Sequence, residues 1–180
     1  MKISKKLEPL LNGLSAGLVV SLLALLTFNA PFGVWLVFSF GSSALILFVF
    51  YESEFAQPKN IFFGHLISLV IGVLVNHFIG LAVISLGLSV GRCVSVMMYL
   101  KIVHPPAAAN PLIALFADVS YDFILFPVVS GSIVLIVLAY LINTYILGRT
   151  TRAQMRISNS RVRSKNLRSK RKKTKKSKAA

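Results

Sequence analysis

The feature that most constrains this chain is a proline-interrupted stretch inside a largely apolar sequence, residues 103–115, which read VHPPAAANPLIAL. Proline is tolerated at the first position of a helix, since the N–H that it lacks has no partner inside the helix. Pro105 and Pro106 therefore predict that one helix ends near His104 and a new one begins. The new helix has about 13 residues, or roughly 20 Å, too short to cross a hydrocarbon core of about 30 Å. We expect a broken helix buried at membrane depth; an ordinary surface loop is the alternative.

The composition and the segregation of charge indicate a membrane protein. Of 180 residues, 56% are hydrophobic, and the mean hydropathy is +0.76. Fourteen of the 20 Lys and Arg residues lie in residues 149–178 and three more in residues 2–6, whereas residues 7–148 hold three basic and five acidic residues. The net charge of +15 thus belongs to the two ends of the chain. This pattern predicts a polytopic membrane protein with a basic tail.

The hydropathy pattern predicts an all-α membrane protein with five long transmembrane helices and one short broken or re-entrant helix. The long helices are expected at residues 9–28, 32–50, 61–79, 81–100 and 123–147. Because both ends of the chain are basic, the positive-inside rule places both in the cytoplasm, which requires an even number of crossings. The short helix, as a sixth traversing or half-traversing element, gives that number; with the N-terminus outside, five crossings would suffice. We expect a basic N-terminus (residues 1–8), a membrane domain (9–148) and a disordered cytoplasmic tail (149–180) in a multi-pass protein of the cell (inner) membrane.

An internal repeat supports this division. A shift of 67 or 68 residues places SSALILF of residues 42–48 over ANPLIALF of residues 109–116. It also places Gly64 and Asn76 over Gly131 and Asn143. Each half then reads as three membrane elements, so the second half enters the membrane from the opposite side. Such a 3+3 inverted repeat with discontinuous helices is typical of secondary transporters.

The polar and small residues beside the predicted breaks suggest an anion site. Gly41, Ser42 and Ser43 indicate either close helix packing or a second break. Two facing helix N-termini, one at this cluster and one at the double proline, would attract a small oxyanion. Arg92 lies within a predicted span and must face a partner or water, although it and His104 could instead serve only to pair with or cap backbone groups. The candidate substrate-binding residues are Gly41, Ser42, Ser43, Arg92, His104, Pro105, Pro106 and Asn110.

No pattern of catalytic or metal-binding residues is recognisable in the sequence. There is no H-E-x-x-H, no nucleophile elbow and no phosphate-binding glycine loop, and the three histidines are not at metal-ligand spacing. Cys93 is the only cysteine, which excludes an internal disulfide and a Cys-based zinc site. We therefore expect neither an enzyme nor a protein with a metal or other cofactor.

The basic tail is expected to lie on anionic membrane lipid, where each Lys or Arg contributes about 1 kcal/mol. Nucleic acid is a less suitable partner, because the tail has no aromatic residue on which bases could stack. The main hypothesis is a transporter or channel for a small anion. The alternative is a non-transporting membrane scaffold whose tail binds lipid or an acidic partner. A homo-oligomer is compatible with either.

Three blocks of the sequence resemble the HPP family of integral membrane proteins. FGSSA at residues 40–44 is similar to the family's F-G-A-S-A, and HPPAAANP at residues 104–111 is similar to H-P-P-A-G-A-N-P. Between them, residues 52–65 are similar to the block E-S-x-x-A-Q-P-R-N…G-H, which adds Gln57, Asn60 and His65 as supporting site residues. Plant plastid and cyanobacterial members are linked with nitrite transport, so the resemblance implies a nitrite-like anion as substrate. Judged without the resemblance, His65 and His77 are expected to be packing residues.

Overall fold

A computed structural model describes residues 4–29 and 35–149, and within these ranges every regular element is a helix. The six α-helices are α1 Glu8–Asn29, α2 Phe38–Val49, α3 Pro58–Ile79, α4 Val83–Tyr99, α5 Asn110–Phe116 and α6 Ser130–Leu141. Short 3₁₀ segments, Glu54–Ala56 and Pro105–Ala109, precede α3 and α5, and π-helical segments, Ile124–Val129 and Ile142–Ile146, extend α6 at both ends. Residues 1–3 and 30–34, and the predicted cytoplasmic tail from residue 150 onward, lie outside the described residues.

Three of the helices are long and apolar enough to cross a membrane: α1, α3 and the extended α6, Ile124–Ile146. The prediction of five long spans is not reproduced, because α2 has only 12 residues and α4 only 17. Before α2 the chain is extended, and the Thr27 hydroxyl accepts the backbone N–H groups of Trp35 and Leu36 there. Residues 35–37, which were predicted to be helical, thus form a non-helical entry into the bundle.

The double proline breaks the chain where the sequence predicts it. α4 ends in a Schellman motif, with Lys101 in the left-handed region at φ 55°. The N–H of Ile102 donates to the carbonyl of Met97, and the N–H of Lys101 donates to the carbonyl of Met98. The chain then runs extended to His104 before the new helical segment begins at Pro105. The second predicted break, at residues 41–44, is wrong: α2 passes through these residues without interruption.

Glycines allow the closest helix contacts in the bundle. A Cβ built on Gly72 of α3 would lie 2.6 Å from Cα of Pro111 at the start of α5. One built on Gly64 would lie 2.9 Å from Cβ of His104. One built on Gly131 of α6 would overlap the carbonyl oxygen of Trp35 and lie 2.6 Å from the Phe40 ring. Glycine is therefore required at the points where α3 and α6 cross the two short helical segments.

The start of α1 and the end of α6 meet at one end of the bundle. Arg149 is buried there, and it donates to Glu8 at 3.0 Å and to the carbonyl oxygen of Phe48 at 2.8 Å. Its guanidinium also lies 4.5 Å from the centroid of the Tyr51 ring. Burial, followed by the negative charge of Glu52, raises the pKa of the Tyr51 phenol.

The opposite end of the bundle carries acidic residues. Asn76, near the end of α3, donates to the Asp118 carboxylate at 2.8 Å. Phe48, near the end of α2, bonds through its carbonyl oxygen to Arg149, whereas α5 ends at Phe116, two residues before Asp118. The two short helices therefore run toward opposite ends of the bundle.

Candidate functional site

Six polar side chains form a buried cluster between the two short helices. Each of them is at most 3% exposed. We call this set the polar cluster: Ser39 and Ser43 from α2, His65 and Ser68 from α3, His104 from the extended chain, and Asn110 from the start of α5. Ser68 is the eleventh of the 22 residues of α3, so the cluster lies about 15 Å from either end of that helix.

Ser43 connects the two histidines. Its Oγ lies 2.9 Å from Nε2 of His65 and 2.9 Å from Nε2 of His104. His104 Nδ1 lies 2.8 Å from the carbonyl oxygen of Phe55, which only accepts, so Nδ1 carries the proton and Nε2 of the neutral ring accepts. Ser43 therefore donates to His104 and accepts from His65.

Asn110 completes the network from the other half of the chain. Its Oδ1 accepts from Ser39 at 2.7 Å, and its amide group donates to His65 Nδ1 at 3.0 Å and to Ser68 at 2.9 Å. An acceptor at Nδ1 of His65 agrees with the proton assigned to its Nε2. The polar side chains of the cluster are thus satisfied by one another and by backbone carbonyl groups, as buried polar groups must be.

Helical spacing explains how the sequence assembles the cluster. Ser39 and Ser43 are four residues apart, and His65 and Ser68 are three apart, so each pair shares one helix face. His104 is fixed by the prolines that follow it and approaches α3 because Gly64 has no side chain. Helical spacing, the prolines and Gly64 thus explain the local position of these side chains, and tertiary packing brings them together.

A second set of contacts lies beside the cluster, between the loop before α3 and the chain that precedes His104. Asn60 is buried, and its amide donates to the backbone carbonyls of Glu54 at 3.0 Å and Val103 at 3.2 Å. It thus ties the loop before α3 to the chain that leads to His104. Gln57 is half-buried, and its side-chain amide makes a long contact of 3.5 Å to the carbonyl of Ser53.

The structure divides the predicted binding residues into two groups. Ser43, His104 and Asn110 lie in the polar cluster together with His65, and Pro106 is buried beside them in the helical segment that precedes Asn110.

Gly41, Ser42, Arg92 and Pro105 are exposed on the outside of the bundle. The Ser42 hydroxyl bonds only to the carbonyl of Ser39, within its own helix. The physical reason is helix geometry: neighbouring residues point about 100° apart, so Ser43 faces inward while Gly41 and Ser42 do not.

The prolines also reduce the number of backbone N–H groups at the helix N-terminus that was predicted to attract an anion. Pro105 and Pro106 have no N–H, and the N–H of Ala107 bonds to the carbonyl of His104. This segment therefore offers side-chain donors, and not free backbone N–H groups, to a ligand.

Two members of the cluster, Ser39 and Ser68, and the carbonyl of Phe55 were missed by the sequence reasoning. Both serines lie on the helix face of a predicted residue, and this spacing was the available signal. The Phe55 carbonyl had no signal, because any residue has one. Among residues 4–29 and 35–149, no group of three His, Cys, Asp or Glu side chains could hold a metal ion.

The comparisons with known proteins agree with the three blocks that meet in this cluster. The family model described as "HPP, transmembrane region" matches residues 2–152. Two transmembrane proteins of Dictyostelium discoideum are each 28% identical to the chain, over 120 and 118 residues, or 62% and 61% of its length. The matches cover 39% and 41% of those proteins, so the chain spans about two fifths of the curated relatives that it matches. No solved structure matches. The chain is therefore a membrane protein that belongs to the HPP transmembrane family.

Proposed function

We propose that the protein transports a small inorganic anion, nitrite or a similar oxyanion, and that the polar cluster is its binding site. The observation that carries the proposal is the burial of six polar side chains at the middle of an apolar helix bundle. Polar groups are costly inside a membrane, and ionisable groups there, such as histidine, mark substrate and ion pathways. The resemblance of the three sequence blocks to nitrite-linked proteins supports nitrite as the first anion to test.

The chemistry of the cluster suits a singly charged anion. When both imidazoles are neutral, no member of the cluster carries a full charge, yet all six side chains have an N–H or O–H group. An anion that enters between Ser43 and the two histidines could accept from Ser43, from Nε2 of His65 and from Ser39. Hydrogen bonds to an ionised acceptor are roughly twice as strong as neutral ones, so the anion can replace the internal bonds that it breaks.

The packing of the two halves supports an inverted repeat, the architecture on which alternating access would depend. Gly64 approaches the carbonyl of Ile102 and the side chain of Ala107, whereas Gly131 approaches the carbonyl of Trp35 and the ring of Phe40. The separation is 67 residues in each of three pairs: Gly64 and Gly131, Ile102 and Trp35, and Ala107 and Phe40. The same shift aligns the two halves of the sequence. The two half-domains would be residues 8–79 and 83–146, each with a short central helix.

Rocking of one half against the other would open the cluster to the two sides of the membrane in turn. Because α2 and α5 run from the cluster toward opposite ends of the bundle, each half provides one of the two routes. In the structure the cluster is closed to both ends, since its members are at most 3% exposed. This conformation corresponds to an occluded state of the proposed cycle.

The experiment is nitrite uptake into proteoliposomes at mildly alkaline pH, where leakage of nitrous acid through the lipid is smallest. We expect Ser43→Ala and His65→Ala to lower uptake by roughly tenfold or more, the factor for one lost hydrogen bond to a charged ligand, because both side chains would donate to the anion. Ser42→Ala is the matched control, because Ser42 neighbours Ser43 but faces outward; its uptake should equal that of the unchanged protein. Uptake no faster than in protein-free liposomes, or equal in all three variants, contradicts the proposal.

A further inference from the structure

The polar cluster has no fixed positive charge to balance an anion. Its six members are serines, histidines and an asparagine, and within the described ranges every Lys and Arg side chain is exposed except Arg149, which pairs with Glu8. Neutral donors orient a bound anion but leave its charge uncompensated, and an uncompensated charge in a buried site is costly. The imidazoles of His65 and His104 are the only members of the cluster that can gain a positive charge near neutral pH.

His104 can take up a proton without the loss of any hydrogen bond. Its Nδ1 already donates to the carbonyl oxygen of Phe55 at 2.8 Å, so the added proton would lie on Nε2, 2.9 Å from Ser43 Oγ. The Ser43 hydroxyl would then turn its own hydrogen to the carbonyl oxygen of Ser39, 3.0 Å away. Because the Ser43 oxygen has two lone pairs, it can accept from the imidazoles of His104 and His65 at the same time.

His65 is a poorer site for the proton, although it is equally buried. Its Nε2 carries the hydrogen that is donated to Ser43, and its Nδ1 accepts from the Asn110 amide at 3.0 Å. A proton on Nδ1 would place two donors opposite each other, and the Asn110 oxygen that could accept it is already bonded to Ser39 at 2.7 Å. The ring centroids of the two histidines are 5.0 Å apart, so repulsion limits the pair to one positive charge. The geometry therefore favours His104.

The other titratable side chains on the described elements around His104 lie mostly at the surface of the bundle. Cys93 is buried. The rest are exposed: Glu54, Lys59, His77, Arg92, Tyr99 and Lys101. An exposed charge is screened from a buried imidazole more strongly than a neighbouring buried ring is. The protonation of His104 therefore depends mainly on His65 and on the charge of a ligand in the cluster.

We propose that His104 binds one proton for each anion that the polar cluster binds, so that the protein is an electroneutral proton–anion symporter. This inference rests on the proposed function and adds the coupling ion to it. One proton and one monovalent anion enter from the same side, and the imidazolium Nε2–H donates to the anion together with His65 and Ser43. Both leave together on the other side, and Ser43 then donates to His104 again, as in the structure. No covalent bond forms, and no net charge crosses the membrane.

The test measures which gradient drives nitrite into proteoliposomes that contain the full-length protein at mildly alkaline pH. With the membrane potential clamped at zero by valinomycin and potassium, a gradient of about one pH unit, alkaline inside, should drive nitrite toward a roughly tenfold higher concentration inside, the ratio for one proton per anion. Rates in protein-free liposomes are subtracted, because nitrous acid that leaks through the lipid follows the same gradient. An inside-positive potential without a pH gradient should not accelerate uptake, whereas it would drive an uncoupled anion.

Three substitutions locate the proton. Glutamine forms hydrogen bonds but does not titrate, so His104→Gln should remove the response of uptake to the pH gradient. His65→Gln should lower uptake, because His65 donates to the anion, but it should keep the ratio of the rates with and without the gradient. His77→Gln, exposed near the other end of α3, is the control and should match the unchanged protein in both measurements.

A second measurement does not depend on transport. When sodium nitrite binds to the detergent-solubilised protein in weak buffer, a pH indicator should report the uptake of about one proton per bound nitrite, because the anion favours the charged imidazole. The same addition to a protein-free solution is the blank. His104→Gln should take up no proton, whereas His77→Gln should behave as the unchanged protein.

The outcomes separate the coupling from the proposed function. Uptake that responds to the inside-positive potential and not to the pH gradient would overturn the coupling but leave anion transport in place. An unchanged pH response or an unchanged proton uptake in His104→Gln would place the proton on another group. Nitrite uptake no faster than in protein-free liposomes would contradict the proposed function itself, and nitrite binding without proton uptake would overturn His104 as the proton site.

Discussion

Ser43 is the residue on which the polar cluster depends most, because its single hydroxyl bonds to both histidines. Its oxygen also lies 3.0 Å from the carbonyl of Ser39. If an anion or a proton changed the partner at His104, the hydroxyl could rotate to that carbonyl without being left unpaired. The residue is thus a switch point between two complete hydrogen-bond patterns, whereas a hydrophobic residue of the same size would leave two imidazole nitrogens unsatisfied.

The hydrogen bonds of Ser43 predict that Ser43→Ala lowers stability more than Ser42→Ala does. Ser43→Ala removes the partner of two buried nitrogen atoms, and each loss costs about 1–3 kcal/mol. Ser42→Ala removes only an exposed contact within α2, and its effect should stay within about 0.5 kcal/mol. Thermal unfolding of the two variants in the same detergent measures the difference. Equal unfolding midpoints would show that the hydrogen bonds around Ser43 contribute nothing to stability.

The site residues show what a sequence can and cannot predict at this scale. Local chemistry identified His104, Asn110 and Ser43, since prolines and small polar residues in an apolar chain stand out. The same reasoning included Gly41, Ser42 and Arg92, which face outward, because residue type alone does not determine which face of a helix is buried.

At the scale of the elements, the start of a short helix could be predicted only where a nearby residue marks it. The break before α5 is signalled by two prolines, and the structure has it. The break before α2 is not marked by any residue between Trp35 and Phe38, because the extended entry is held by the distant hydroxyl of Thr27. A hydrogen bond to a residue eight positions away leaves no local pattern, so the sequence does not reveal that residues 35–37 are non-helical and that α2 begins at Phe38.

The contact between α3 and α5 gives a prediction at this scale. Gly72→Ala places a methyl group 2.6 Å from Cα of Pro111 and 2.9 Å from Cβ of Ala114, neither of which can move without shifting α5. Overpacking of this kind costs about 1–3 kcal/mol, partly offset by the gain of about 1 kcal/mol from replacing a helical glycine.

Gly87→Ala is the control for this substitution, because no atom lies within 4 Å of the methyl group that it adds in α4. It retains the gain in helix propensity without the clash, so it should be neutral or stabilising. Unfolding midpoints of the two purified variants give the comparison. If Gly72→Ala were as stable as Gly87→Ala, the α3–α5 contact would be looser than the structure has it.

For the whole molecule, the proposed inverted repeat requires the two ends of the bundle to face opposite sides of the membrane. Glu52 is exposed near the Arg149 end, and Ser120 is exposed after Asp118 at the other end. In a protein with Cys93→Ala, a membrane-impermeant thiol reagent added to intact cells should label only one of Glu52→Cys and Ser120→Cys. Permeabilised cells are the control, in which both should react. Labelling of both in intact cells would contradict the inverted arrangement.

Arg149, the last described residue, connects the start of α1 with the end of the membrane domain. It therefore marks the boundary between the membrane domain and the tail that follows. Arg149 has a side chain only 7% exposed and bonds to Glu8 and Phe48, whereas the other thirteen basic residues of the tail follow it. Removing residues 150–180 should therefore leave the unfolding midpoint of the membrane domain unchanged. Removing residues 149–180 should lower the free energy of unfolding by roughly 1–3 kcal/mol, a value that allows for the partial exposure of Glu8. The two truncations differ by one residue, so equal midpoints would mean that Arg149 does not hold α1, α2 and α6 together.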